Sequence, residues 1–258
     1  MLMKYPAHPS PRLRQPRHGR GGAGALALAL LLTALGCTPT AETQVPGGAE
    51  SVRPGINDSY MKARDSDMEG WTESLEGESR EVVSSRDAIV ALMGLSNGQV
   101  VADVGSGTGL FSSALSDAVG EAGTVVAVDI APTFLEHVRA RMTSEGKTNF
   151  IYHLAGSTDV GLPAEVKLDV AFMCNVYHHV EYPGLYMPSL GRAMRPGAVL
   201  WLVDFRRVEG VTDPGILRHV RAGRETVIEE VTSAGFELVD EPELLEENYI
   251  LKFVWPGG

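Results

Sequence analysis

Two groups of residues have types and spacings suited to chemistry. The first lies in Val100–Phe111, VVADVGSGTGLF, where Asp103 is followed by Gly105, Ser106, Gly107 and Gly109. Loss of three side chains within five positions lets the backbone take positive φ and approach a ligand closely. A helix opening near Leu110 turns its free N–H groups toward the same turn. A second acid, Asp129, ends the segment Thr124–Asp129 (TVVAVD), with Ile130 beside it. It comes about 20 residues after the last glycine, where a carboxylate meets the ribose hydroxyls in a βαβ nucleotide site. The order is D-x-G-x-G-x-G and not the G-x-G-x-x-G of dinucleotide sites. A carboxylate at Asp103 repels a pyrophosphate but suits a ligand carrying an ammonium and a sulfonium.

The second group follows the apolar run Leu168–Cys174: Asn175, Val176, Tyr177, His178 and His179. Asp204 closes another apolar run, Val199–Phe205, and His219 lies in the loop beyond it. Histidine titrates near neutrality, so His178, His179 and His219, with Asp204, are candidate bases for removing a proton from an acceptor. Tyr177 offers an orienting hydroxyl. Two adjacent histidines at a strand end are expected to diverge, one facing substrate and the other bracing the loop. The opposing reading is that both are satisfied structural histidines. The same four side chains are also metal donors. Their spacing matches no recognised metal motif, and no metal is expected.

The surrounding elements must bring these groups together. Val100–Val104, Thr124–Asp129, Phe150–Leu154, Leu168–Cys174 and Val199–Phe205 read as buried parallel strands, near-continuous in apolar residues. Amphipathic helices separate them: Pro132–Glu145 with Pro132 in its first turn, then Gly184–Met194 and Arg224–Ala234. Phe236–Asp240 and Tyr249–Val254 form a terminal antiparallel pair. In an open parallel sheet the ligand crevice lies at the carboxyl ends of the strands. That is where Asp103, Asp129, Asn175 and Asp204 fall. Ala155–Leu162, containing Gly156 and Ser157, is the loop at the end of the third strand.

On these motifs the chain resembles the class I S-adenosylmethionine (SAM) methyltransferases, over Trp71 to Val254. MRPGAVLWLVDF is similar to their L-[KR]-P-G-G-x-L segment, with Ala198 for the second glycine. The Y-H-H segment and His219-Val220-Arg221-Ala222-Gly223-Arg224 are closest to a group of uncharacterised bacterial methyltransferases. The resemblance implies an α/β, Rossmann-like fold: a mostly parallel seven-stranded sheet, order 3-2-1-4-5-7-6, with helices on both faces. It implies SAM as cofactor, held by Asp103, Gly105, Ser106, Gly107, Gly109, Asp129, Ile130 and Asn175, with Gly156 and Ser157 at the adenine. Tyr177, His178, His179, Asp204 and His219 would face the reacting methyl. Residues 59–98 form a helical lid, in which Glu78-Ser79-Arg80-Glu81 either touches ligand or is a solvated face. Residues 99–258 form the SAM-binding domain.

The formal net charge of −11 argues against non-specific binding of nucleic acid or anionic lipid. Residues 1–36 read as a signal peptide or membrane leader: five basic residues and no acid before Ala23–Leu35, an apolar run too short for a comfortable span. Thr33-Ala34-Leu35-Gly36-Cys37 resembles a lipoprotein cleavage box, with Ala34 where leucine is usual. Residues 37–58 read as a flexible linker. Cys37 and Cys174 are not expected to pair. The expected protein is thus exported and anchored, touching membrane only through its leader, or cytoplasmic if the leader is no signal. Its partner is a small-molecule acceptor. A non-catalytic anchored SAM-fold binding protein is the alternative, favoured by export because SAM is made in the cytoplasm. A nicotinamide-dependent oxidoreductase is a third, disfavoured by Asp103.

Overall fold

A computed structural model describes residues 49–78 and 80–258. The leader, Cys37, the linker as far as residue 48, and Ser79 lie outside the described residues. Seven strands form one sheet: β1 (Val100–Val104), β2 (Thr124–Asp129), β3 (Phe150–Leu154), β4 (Leu168–Cys174), β5 (Met194–Phe205), β6 (Glu237–Asp240) and β7 (Asn248–Val254). Their order is β3-β2-β1-β4-β5-β7-β6. The first five are parallel, and β7 runs antiparallel to both neighbours. This is the architecture the resemblance implied.

The central strands are apolar on both faces because helices cover both. Val101, Ala102, Val125, Val126, Leu168, Ala171 and Leu200 are fully buried. The sheet's direction reverses between β1 and β4, so the crevice opens there, at the strands' carboxyl ends. Four helices serve that crevice: α5 (Ser112–Val119), α6 (Pro132–Ser144), α7 (Pro183–Ala193) and, past the short α8 (Pro214–His219), α9 (Arg224–Ser233). Strand β5 is longer than expected. It runs through Arg195-Pro196-Gly197, read from sequence as a turn, and its pairing with β4 shifts register between Leu168 and Val170.

Ahead of β1 lie α1 (Asp58–Met61), α2 (Met68–Glu78), α3 (Arg80–Ser84) and α4 (Arg86–Met93). Among the described residues, no helix is long and apolar enough to cross a membrane. Two details differ from expectation. Residues 51–57, read as linker, are bonded down: Val52 N–H donates to the Glu181 carbonyl at 2.9 Å, and Ser51 Oγ to the Glu181 carboxylate at 2.9 Å. Polar donors, not apolar burial, hold this segment. Glu81 meets neither ligand nor solvent alone. Its carboxylate accepts the backbone N–H groups of Glu247 and Asn248, each at 3.0 Å, and ties α3 to the start of β7.

Candidate active site

The glycine turn after β1 is shaped by close approach. Gly105 has φ +70, and a Cβ there would lie 2.1 Å from Val176 Cγ2. Only glycine lets the turn pass beneath the strand-β4 loop. The N–H groups of Gly105 and Ser106 donate to the Val128 carbonyl at 2.8 and 3.0 Å, pinning the turn to β2. Asp129 completes the clamp: Oδ2 accepts the Gly107 N–H and Oδ1 the Ala131 N–H, both at 2.9 Å. Each carboxylate oxygen has a further lone pair for a hydroxyl. Asp103 is buried at the end of β1 and accepts Ser112 Oγ at 2.6 Å. Burial pushes its carboxyl up to about 6, against the Ser112 bond that lowers it and with the Asp129 charge that raises it.

One cavity is lined by Asp103, Gly105, Ser106, Gly107, Asp129, Ile130, Gly156, Ser157 and Asn175 on one side and by His178, His179 and His219 on the other. Gly109 is absent from this lining. Its Cβ position faces Val138 at 3.3 Å, so this glycine seats the turn on α6 rather than on a ligand. Asn175 adopts φ +52 and accepts the Asn248 amide at 2.8 Å through Oδ1.

The histidines converge, contrary to the expectation that neighbours diverge. A 3-10 turn spans Tyr177–His179 directly after β4. It sets the His178 and His179 rings 4.4 Å apart, and His219 stands 5.1 and 5.0 Å from them. His178 Nδ1 lies 2.8 Å from Asp204 Oδ1. A carboxylate only accepts, so Nδ1 carries the hydrogen and Nε2 the lone pair. Asp204 is 1% exposed and absent from the cavity lining; it also accepts the backbone N–H groups of His178 and Phe205. It therefore positions His178 and does not reach the chamber. His179 Nε2 and His219 Nε2 are 3.2 Å apart. Burial, then repulsion from His178, His219 and Arg53, lowers His179 to about 2, so its ring is neutral.

Tyr177 does not line the chamber either. Its hydroxyl donates to Glu230 Oε2 on α9 at 2.9 Å, and Arg221 makes a two-pronged pair with the same carboxylate at 2.9 Å on each prong. Burial and the Glu230 charge raise the phenol well above its ordinary range. The network braces the loop two residues beyond His219. The roof was missed in sequence reading. Tyr60 lines the cavity with its ring 4.9 Å from His179, and it packs with Trp71 and Phe134. Glu76, also in the lining, accepts from Thr108 Oγ1 and Arg141. No motif marks these residues; an aromatic pattern ahead of a glycine turn was the only available signal.

Residues 102–202 match the methyltransferase domain family. The chain carries a class I methyltransferase domain. Ubiquinone/menaquinone biosynthesis C-methyltransferases from Haemophilus ducreyi and Hydrogenovibrio crunogenus are 29% and 25% identical to it, over 44% and 46% of this chain. The chain spans less than half the length of these curated relatives, 44% and 47% respectively. A SAM-dependent methyltransferase of Aquifex aeolicus shares the fold with a TM-score of 0.66 and 23% identity, over 75% of this chain and all of that one. SAM is the cofactor of this methyltransferase domain, and the cavity fits it. Ser106 Oγ is buried there without a hydrogen-bond partner, and the turn has the bare backbone a nucleoside can lie against. Asp129 would meet the ribose, and Asp103 the ammonium of the methionine part. Bound SAM supplies an electrophilic methyl that already carries its leaving group.

Proposed function

We propose that the protein transfers the methyl group of SAM to a small or medium-sized acceptor whose nucleophilic atom is held against His178, His179 and His219. The continuity of one cavity from the glycine turn to these histidines carries the reading. Methyl transfer from a sulfonium is an in-line displacement, and the protein's part is mainly alignment. Here the Asp103 and Asp129 carboxylates orient the donor, while Tyr60, Phe134 and Phe205 give the acceptor an aromatic wall. The acceptor is not carried over from the quinone-modifying relatives, whose likeness covers less than half of each.

Calorimetric titration of the full chain with SAM and with NAD tests the reading: SAM binds and NAD does not. Asp129→Ala should weaken SAM by about 1–3 kcal/mol, the scale for losing a hydrogen bond to a charged partner. An unchanged affinity removes Asp129 from the donor site. Release of S-adenosylhomocysteine over a panel of hydroxyl, thiol and amine acceptors then tests turnover. His178→Ala should lower turnover more than SAM affinity.

A further inference from the structure

The histidine wall is built like a metal site. One ring nitrogen from each of His178, His179 and His219 lies within 4.8 Å of one from each of the others. The Nε2 atoms of His179 and His219 are 3.2 Å apart. Two nitrogens bound at about 2.0–2.1 Å on a tetrahedral zinc ion stand about 3.4 Å from each other. His178 has given Nδ1 to Asp204, so the nitrogen it offers is Nε2. A buried carboxylate on the far nitrogen of a ligating histidine fixes its tautomer and raises its basicity. His179 Nδ1 is buried with no partner among the described residues. Neutral imidazoles alone therefore leave the cluster short of hydrogen bonds.

We propose that His178, His179 and His219 bind a divalent transition cation of the zinc type, with Asp204 as the outer carboxylate and the fourth position open to the chamber. Imidazole donors select such ions over Mg²⁺ and Ca²⁺. Three protein ligands with one open position is the pattern of sites that also hold a substrate atom. The ion's existence rests on the geometry alone; its use rests on the methyltransferase reading. An acceptor hydroxyl or thiol on the fourth position loses its proton to solvent, and the electron pair stays on the oxygen or sulfur. That pair then forms the bond to the donor methyl as the carbon–sulfur bond breaks and leaves its electrons on sulfur.

The test titrates Zn²⁺, against a competing chelator, into the metal-free full chain and its His219→Ala and Asp204→Asn variants, with SAM affinity measured on the same samples. The native chain should take up one equivalent. His219→Ala should lose at least about 100-fold in affinity, and Asp204→Asn about 10–100-fold. Co²⁺ in the native chain should give the intense visible absorption of a four-coordinate ion without thiolate charge-transfer bands. A native chain that takes up no Zn²⁺ overturns the proposal. So does equal uptake by His219→Ala, which assigns the ion to other donors such as His8, His18 or Cys37. If His219→Ala fails to fold, the Co²⁺ spectrum decides, and a six-coordinate or thiolate-type spectrum overturns the site. SAM binding without Zn²⁺ uptake sinks the metal site alone; Zn²⁺ uptake without SAM binding sinks the methyltransferase reading alone.

Discussion

The two sides of the cavity are made by different means. On the donor side, Asp103, the glycine turn and Asp129 sit on neighbouring strands, and backbone hydrogen bonds to Val128 and Asp129 fix their geometry. On the histidine side, His178 and His179 leave β4, Asp204 leaves β5, and His219 arrives from a loop that a side-chain network anchors to α9. The first side depends on main chain, so it is short in sequence and tolerant of few substitutions. The second depends on tertiary packing, so its parts can be exchanged one at a time. A fold with that division keeps its donor and varies its acceptor.

The largest expected effect breaks the main-chain side. Gly105→Ala puts a Cβ into Val176 and forces a positive φ on alanine. The strain and clash should cost about 3 kcal/mol or more, and SAM binding should be lost with it. Gly107→Ala is the control. Its φ is +49, yet the nearest atoms stand 3.9 Å away, so only the strain of about 1 kcal/mol should appear. Thermal unfolding and calorimetry read both. Equal losses in the two variants would show that the Val176 contact does not matter.

Next comes the brace on the other side. Arg221→Ala leaves Glu230 and the Tyr177 hydroxyl without their cation in a site where Arg221 is 7% and Glu230 21% exposed. Breaking a buried pair costs about 3–5 kcal/mol, and the partial exposure of Glu230 reduces this to about 2–3 kcal/mol. Urea unfolding measures it. Turnover and Zn²⁺ uptake should fall because His219 loses its anchor, while SAM affinity holds. A parallel loss of SAM affinity would mean the two sides are not separable.

Asp103 gives a pH test of the donor side. Burial raises its carboxyl to about 6, above its value in the unfolded chain, so its contribution to stability is full in acid and is lost as pH rises through 6. A cationic ligand favours the ionised form, so binding expels a proton below that pH. SAM affinity should therefore rise by about tenfold per unit as pH approaches 6 from below and level off above it. Asp103→Asn should flatten the profile and lower the plateau. A native profile with no break near pH 6 removes Asp103 from contact with the ammonium.

Most of the fold and the donor side could be read directly, because both rest on local pattern. Apolar runs such as TVVAVD fix buried strands, and an acid followed by alternating glycines fixes a turn. Gly109 was misread because a glycine against a ligand and a glycine against Val138 look alike in sequence. The histidine side was named residue by residue but not assembled. Nothing in sequence says that a 3-10 turn follows Cys174, and that turn is what brings His178 beside His179. Nor does a loop histidine announce that Arg221 carries it into the chamber. The bonded segment around Asn57 was hidden for the same reason: its partner, the His179 carbonyl, is distant in sequence.

Tyr177 gives the smallest expected effect and the sharpest boundary between the two roles a polar group can have beside a site. Its motif neighbours face the chamber, but its hydroxyl donates to Glu230 behind the wall. Tyr177→Phe removes one hydrogen bond to a charged group that retains both prongs of Arg221, so stability should fall by about 1 kcal/mol. SAM affinity, Zn²⁺ uptake and turnover should all be unchanged. A fall in turnover at unaltered stability would show that the hydroxyl swings into the chamber during the reaction, and Tyr177 would then belong with the histidines. A fall in stability alone makes it part of the frame that holds them.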